Sequence, residues 1–84
     1  MARSERILKD VLGGGSDANI RFDDLRNLLS SIGFEQRTRG SHHLFSRSGV
    51  VERVNLQRDG SHAKPYQVRQ VRRILLKYGL VGEE

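Results

Sequence analysis

Two adjacent histidines, His42 and His43, follow a Gly-Ser turn and are the residues of this chain best suited to proton transfer. The unperturbed pKa of histidine, about 6.5, lets an imidazole accept and release a proton near neutral pH. Arg37 and Arg39 precede the pair and, being two residues apart in a strand, share one face, where they could hold a phosphate. An imidazole beside a ribose 2′-hydroxyl can act as a general base, so the residue types of this segment are compatible with RNA cleavage without a metal ion. The alternative is a polar loop with no chemical role.

Only one of these histidines can face solvent from the middle of a strand, because successive side chains point to opposite faces. His42 then shares a face with Leu44, and His43 shares the other face with Phe45. Either apolar residue can be the core contact. The alternation therefore leaves both histidines open as the catalytic group.

The third histidine, His62, precedes the last predicted helix. It would either protonate the leaving 5′-oxygen during RNA cleavage or be an ordinary exposed loop residue. A metal site is disfavoured, because adjacent histidines diverge on a strand and no acidic residue stands at helical ligand spacing from them. The chain has no cysteine, which excludes disulfides and thiolate zinc sites. We expect neither a metal nor another cofactor.

The elements that must position the histidines follow from the apolar spacing. A helix that ends at Gly33 is predicted by the stripe Leu25, Leu28, Leu29 and Ile32. Three short antiparallel strands are predicted at residues 34–38, 42–46 and 50–56, followed by a loop over 58–64. Pro65 begins a final helix with the buried stripe Val68, Val71, Ile74, Leu75 and Tyr78. This order of elements indicates an α+β two-layer sandwich.

A further helix is predicted at the N-terminus, where Leu8, Val11 and Leu12 share one helical face. The run Gly13-Gly14-Gly15-Ser16 that follows has the composition of a flexible linker. We therefore expect residues 1–18 to form an N-terminal helix and linker, and residues 19–84 to form the main domain. The helix would be an appendage docked on this domain or on a partner.

The net charge of +5 over 84 residues is unevenly distributed. Residues 36–77 hold ten Lys and Arg against two Asp and Glu, a charge of +8, whereas residues 1–35 carry −1. Clustered positive charge favours a polyanion, with nucleic acid the first candidate and an acidic protein the second. No apolar run approaches the length of a membrane span, and no signal peptide is recognisable. We expect a cytoplasmic protein that does not bind membranes.

Several motifs between residues 19 and 80 resemble the HicA family of bacterial and archaeal toxin-antitoxin modules. They are Phe22-Asp23-Asp24-Leu25, Leu28-Leu29 to Gly33-Phe34, Arg39-Gly40-Ser41-His42-His43-Leu44-Phe45, and Lys64-Pro65-Tyr66-Gln67-Val68. The resemblance implies a double-stranded-RNA-binding-domain-like α-β-β-β-α fold, mRNA-cleaving endoribonuclease activity and inhibition by a HicB-like antitoxin. The essential histidine of the family's Gly-Ser-His motif matches His42, and a one-residue shift of the alignment would make it His43.

One segment departs from this family. Many members carry a Pro-x-His segment after the third strand, where this chain has Val54-Asn55-Leu56-Gln57. The departure lessens the case for a second catalytic imidazole from that strand. The residues assigned to RNA binding are Arg37, Arg39, Lys64, Arg69, Arg72, Arg73 and Lys77. Two other functions compete with a nuclease: a non-catalytic RNA-binding module of the same fold, and a protein whose basic face binds only an acidic partner.

Overall fold

The computed structural model describes residues 3–80. In chain order the elements are α1 (Arg3–Gly13), a 3-10 turn (Asp17–Asn19), α2 (Phe22–Ser31), β1 (Glu35–Arg39), β2 (His42–Ser46), β3 (Val54–Leu56), β4 (Arg58–Asp59), β5 (His62–Ala63) and α3 (Pro65–Lys77). Strands β1, β2 and β3 form an antiparallel sheet in that order, and β4 and β5 form a separate hairpin. The fold is α+β. No helix of residues 3–80 is long and apolar enough to cross a membrane.

The helix ends follow from local chemistry. Asp23 and Asp24 lie in the first turn of α2, where carboxylates interact favourably with the exposed N–H groups of the helix. Gly33 follows the end of α2 with a φ of +100°, a value that glycine adopts without the steric cost of a side chain. Pro65 occupies the first turn of α3, where its missing N–H would have no intrahelical partner.

One apolar core lies between the three helices and one face of the three-stranded sheet. The sheet contributes Phe45, Val54 and Leu56, which are completely buried. The helices contribute Ile7, Val11, Phe22, Leu25, Leu28, Leu29, Val68, Val71, Ile74 and Leu75. Because Phe45 points into this core, its neighbours in β2 point away from it. The opposite face of the sheet, called the open face below, is exposed to solvent within the described part of the chain.

Helix α1 belongs to this core, which differs from the appendage expected from the sequence. Val11 has no exposed surface. Near the end of α1, the guanidinium of Arg72 donates to the carbonyl oxygen of Val11 at 3.1 Å and to both carboxylate oxygens of Asp17 at 2.9 and 3.2 Å. These bonds tie α3 to the two ends of the glycine-rich segment, so the segment closes a turn that returns the chain to the core.

Asp17→Ala is expected to lower the free energy of unfolding by about 1.5–3 kcal/mol, because it removes two charge-assisted hydrogen bonds from a poorly exposed guanidinium. The measurement is urea unfolding of the wild-type and variant proteins. Asp59→Ala is the matched control, since Asp59 is exposed and has no ion-pair partner among residues 3–80. Equal stability of the two variants would contradict a structural role for Arg72.

The third strand is shorter than predicted because the chain before it is bonded to α3. The N–H of Val51 donates to the Tyr78 hydroxyl at 3.3 Å. The Glu52 carboxylate accepts hydrogen bonds from Lys77 at 2.8 Å and from the Tyr78 hydroxyl at 2.6 Å. These bonds lower the pKa of Glu52 to about 2. Residues 50–53 therefore form a connection anchored to the end of α3, and the strand begins at Val54.

The predicted loop at 58–64 instead contains the β4–β5 hairpin, which turns at Gly60 with a φ of +64°. The hairpin is attached to the segment that precedes α2. The N–H of Ala63 donates to the carbonyl oxygen of Ile20 at 2.9 Å. The N–H of Phe22 donates to the carbonyl oxygen of Ser61 at 3.0 Å. The hairpin thus fixes the start of α2 against the chain that leads into α3.

Candidate functional site

The two adjacent histidines lie on opposite faces of β2, with His42 on the open face and His43 on the core face. His43 is half-buried, and the edge of its ring contacts Phe22, with the ring centroids 4.9 Å apart and an interplanar angle of 65°. Its Nδ1 lies 3.1 Å from Gln36 Nε2, which donates the hydrogen bond. The guanidinium of Arg58 lies 4.4 Å from the centre of the same Phe22 ring. These contacts make His43 part of the packing beneath the sheet.

Burial lowers the pKa of His43 below its ordinary value of 6.5, and the nearby positive charges of Arg58 and Arg26 lower it further. The folded protein therefore binds a proton at His43 less readily than the unfolded chain does. It follows that protonation at acidic pH favours unfolding.

We accordingly expect the free energy of unfolding to fall as the pH drops below about 6.5, the window set by the lowered pKa of His43. Glu52 contributes only at lower pH, because the stability from its depressed pKa is lost between its ordinary value of 4.5 and about 2. His43→Phe keeps a ring against Phe22 and removes the titration. Urea unfolding at about pH 7.5 and about pH 5.5 should show a smaller loss for the variant than for the wild type. An equal loss in both proteins would contradict the assignment.

His42 is exposed, and both of its ring nitrogens have a hydrogen-bond partner on β3 or just after it. Nδ1 lies 3.3 Å from Asn55 Oδ1, and Nε2 lies 3.4 Å from Gln57 Nε2. A side-chain amide oxygen only accepts and a side-chain amide nitrogen only donates. Both contacts are therefore satisfied by the neutral tautomer that carries its proton on Nδ1. In this tautomer Nε2 of His42 carries the lone pair with which a general base accepts a proton.

One arginine lies beside His42 on the open face, and two more lie farther along the same face. In the register of β1 and β2, Arg39 pairs with His42 and Arg37 pairs with Leu44, so the sequence-predicted Arg37 and Arg39 do share the face of His42. Arg53, just before β3, lines a groove of about 460 Å³ together with Arg37 and Arg39. None of these three arginines has an ion-pair partner within residues 3–80. Arg37, Arg39 and Arg53 are called the arginine face below.

Arg53 is not among the residues predicted from the sequence, although its position in the third strand carries a signal. Val54 and Leu56 point into the core, and Arg53 and Asn55 alternate with them. Two-residue periodicity through the third strand places Arg53 on the same face as Asn55. Recognising it required knowing which residues of that strand are buried.

The basic residues of α3 do not join the arginine face. Arg69 and Arg73 are exposed, but α3 packs against the core side of the sheet, so they form a second, separate basic surface. The apolar stripe of α3 predicts that Arg72 lies on an exposed flank of the helix. This prediction is wrong, because the guanidinium of Arg72 is bound by Asp17 and by a carbonyl oxygen of α1. Lys77 is paired with Glu52 at 2.8 Å.

Two other predicted residues lie away from the open face. Lys64 lines a small groove of about 320 Å³ with Ser41, His43, Gln57 and Arg58. His62 lies in β5, where its Nδ1 is 3.2 Å from the Ser61 hydroxyl, and this hairpin is attached to the start of α2 rather than to the sheet of His42. The open face therefore has a single imidazole, that of His42.

No group of three His, Asp or Glu side chains in residues 3–80 is arranged to hold a metal ion. Comparison of the chain with protein-family models, with curated proteins and with solved structures found no match. The function must therefore be inferred from the sequence motifs and from the geometry of the open face.

Proposed function

We propose that this chain is a ribonuclease toxin of the HicA type, with a fold like that of double-stranded-RNA-binding domains, and that it cleaves mRNA in the cytoplasm without a metal ion. The observation that carries the proposal is the position of His42. Its imidazole is solvent-accessible, has its Nε2 lone pair oriented by Asn55 and Gln57, and lies opposite Arg39 on a face with two further unpaired arginines.

In the proposed reaction, His42 Nε2 removes the proton from a ribose 2′-hydroxyl, and the 2′-oxygen attacks the adjacent phosphorus. The bond from phosphorus to the 5′-oxygen breaks, and water protonates the leaving oxygen. The hydroxide that remains takes the proton from His42, which regenerates the neutral base. The products are a 2′,3′-cyclic phosphate and a 5′-hydroxyl. Arg37 and Arg39 stabilise the negative charge that develops on the phosphate oxygens. The substrate hydroxyl replaces Gln57 at Nε2, a contact that is already long at 3.4 Å.

A HicB-like antitoxin is the proposed inhibitor. The open face that receives RNA is also the surface that an inhibitor must cover, and its arginines require acidic partner groups. We propose that the antitoxin buries His42 and pairs carboxylates with Arg37 and Arg39. Association would then slow as the salt concentration rises, because charge attraction between exposed groups is screened.

The experiment is incubation of the purified protein with end-labelled mRNA in the presence of EDTA. We expect cleavage under these conditions, with 2′,3′-cyclic phosphate ends on the upstream fragments. Fragments with 5′-phosphate ends, or cleavage that EDTA abolishes, would contradict the proposed reaction.

A non-catalytic RNA-binding module is the second candidate, because the open face offers one imidazole and the other predicted proton carrier, His62, lies on a different hairpin. RNA binding without any cleavage in the same incubation would favour this candidate. It would leave the arginine face as a binding surface and remove the chemical role of His42.

A further inference from the structure

Gln67 is the single buried polar side chain among residues 3–80, and it lies on the core side of α3 with 3% of its surface exposed. Its Nε2 donates to the carbonyl oxygen of Asn55 at 3.1 Å, and its Oε1 accepts from the N–H of Gln57 at 3.2 Å. Strand β3 is at one edge of the sheet, so no strand supplies these two bonds. The Gln67 amide thus takes the place of a peptide group from a neighbouring strand.

These two backbone groups belong to the residues whose side chains contact His42. Leu56 lies between them and is completely buried, so the side chains of Asn55 and Gln57 project toward the opposite face. There they meet the two ring nitrogens of His42. The buried amide of Gln67 is therefore connected to the exposed imidazole by two sets of hydrogen bonds, which are joined through the covalent structure of Asn55 and Gln57.

We infer that Gln67 is a positioning residue for His42. By fixing the backbone on both sides of Leu56, it holds Asn55 and Gln57 where they select the Nδ1-protonated tautomer and orient Nε2. The effect on RNA cleavage rests on the proposed function, whereas the effect on the tautomer does not. A purely structural role, in which Gln67 only satisfies the edge of β3, would leave the tautomer of His42 unchanged.

The first test measures the ring nitrogens of His42 by ¹⁵N NMR in Gln67→Met, which keeps the length and packing of the side chain and removes both hydrogen bonds. In the wild type we expect a proton on Nδ1 and a bare Nε2. In Gln67→Met we expect a mixture of both neutral tautomers. Gln70→Met is the matched control, because Gln70 lies on the same helix and lines a groove away from His42. Its spectrum should match the wild type.

The second test is kinetic. We expect Gln67→Met to lower kcat about 10-fold with KM unchanged, because a misoriented base slows the chemical step without weakening RNA binding. Asn55→Ala combined with Gln57→Ala should produce a loss at least as large. Adding Gln67→Met to that pair should lower kcat no further, since Gln67 acts through those two residues.

A folded Gln67→Met protein with the wild-type ring spectrum would overturn the inference, as would a wild-type His42 protonated on Nε2. If Gln67→Met fails to fold, Gln67→Asn replaces it, because the shorter amide keeps the polarity and cannot reach both backbone groups. If the ring spectra are as expected but none of the proteins cleaves RNA, the proposed nuclease function is refuted and the positioning role of Gln67 stands.

Discussion

His42→Ala is expected to lower the rate of RNA cleavage by about 10²–10⁴-fold, the usual contribution of a general base, and to leave the fold intact. The side chain is exposed and makes two hydrogen bonds, to the exposed Asn55 and to the partly buried Gln57, so its removal leaves no cavity in the core. The rate is measured on labelled mRNA in EDTA. In cells, expression of the wild-type chain should arrest growth, and expression of His42→Ala should not.

His43→Ala and His62→Ala are the controls for this prediction. His43→Ala removes a ring from the contact with Phe22 and should lower the unfolding temperature, whereas His62→Ala should retain most of the activity. A folded His42→Ala protein that still cleaves RNA would refute the assignment. Loss of cleavage in a folded His43→Ala protein, with activity retained in His42→Ala, would exchange the roles of the two histidines.

For His42 and His43, the sequence predicts their relative orientation but not which of them faces solvent. Alternation correctly predicts that His42 and His43 face opposite ways, but the choice of buried face depends on a distant partner. Phe45 pairs with Val54 in the neighbouring strand, and both are completely buried. The helices that cover the sheet thus decide whether Leu44 or Phe45 enters the core. A local sequence pattern carries no information about those helices.

The N-terminal helix illustrates a second limit. Its apolar residues predict a helix, but the glycine run after it has the composition of a linker, and nothing local indicates that Arg72 binds Asp17 across 55 positions of sequence. The same long-range pair removes Arg72 from the basic surface. Charge counts along the sequence therefore do not distinguish arginines that are bound within the fold from arginines that are free on its surface.

The β4–β5 hairpin was missed for a different reason. Gly60-Ser61 forms the two-residue loop between Asp59 and His62, and glycine at the first position of such a loop is a typical turn signal between antiparallel strands. The flanking strands are only two residues long, too short for alternation to be visible. They persist because the segment before α2 pairs with β5, another long-range contact. By contrast, α2 and α3 have long apolar stripes and clear end signals. The predicted end of α2 at Gly33 and the predicted start of α3 at Pro65 agree with the structure to within two residues.

The arginine face is expected to supply most of the salt dependence of RNA binding. Arg37→Gln, Arg39→Gln and Arg53→Gln in one protein should weaken single-stranded RNA binding and reduce the slope of log K against log salt by about 2, since each lost phosphate contact contributes about 0.7. Between about 50 and about 200 mM salt, the wild type should therefore lose roughly 20-fold more affinity than the variant. His42→Ala can serve as the background for these measurements, because it prevents cleavage of the RNA during titration.

The matched control carries Arg69→Gln and Arg73→Gln, which remove two exposed arginines from α3 on the opposite side of the sheet, neither of them ion-paired within residues 3–80. If RNA lies across His42, this control should retain most of the salt dependence, because its charges are far from the path of the bound strand. If RNA instead follows α3, as basic residues on a helix suggest from sequence alone, the two variants should exchange their effects. An unchanged slope in the arginine-face variant would thus contradict RNA binding on the open face, independently of whether the protein cleaves the RNA.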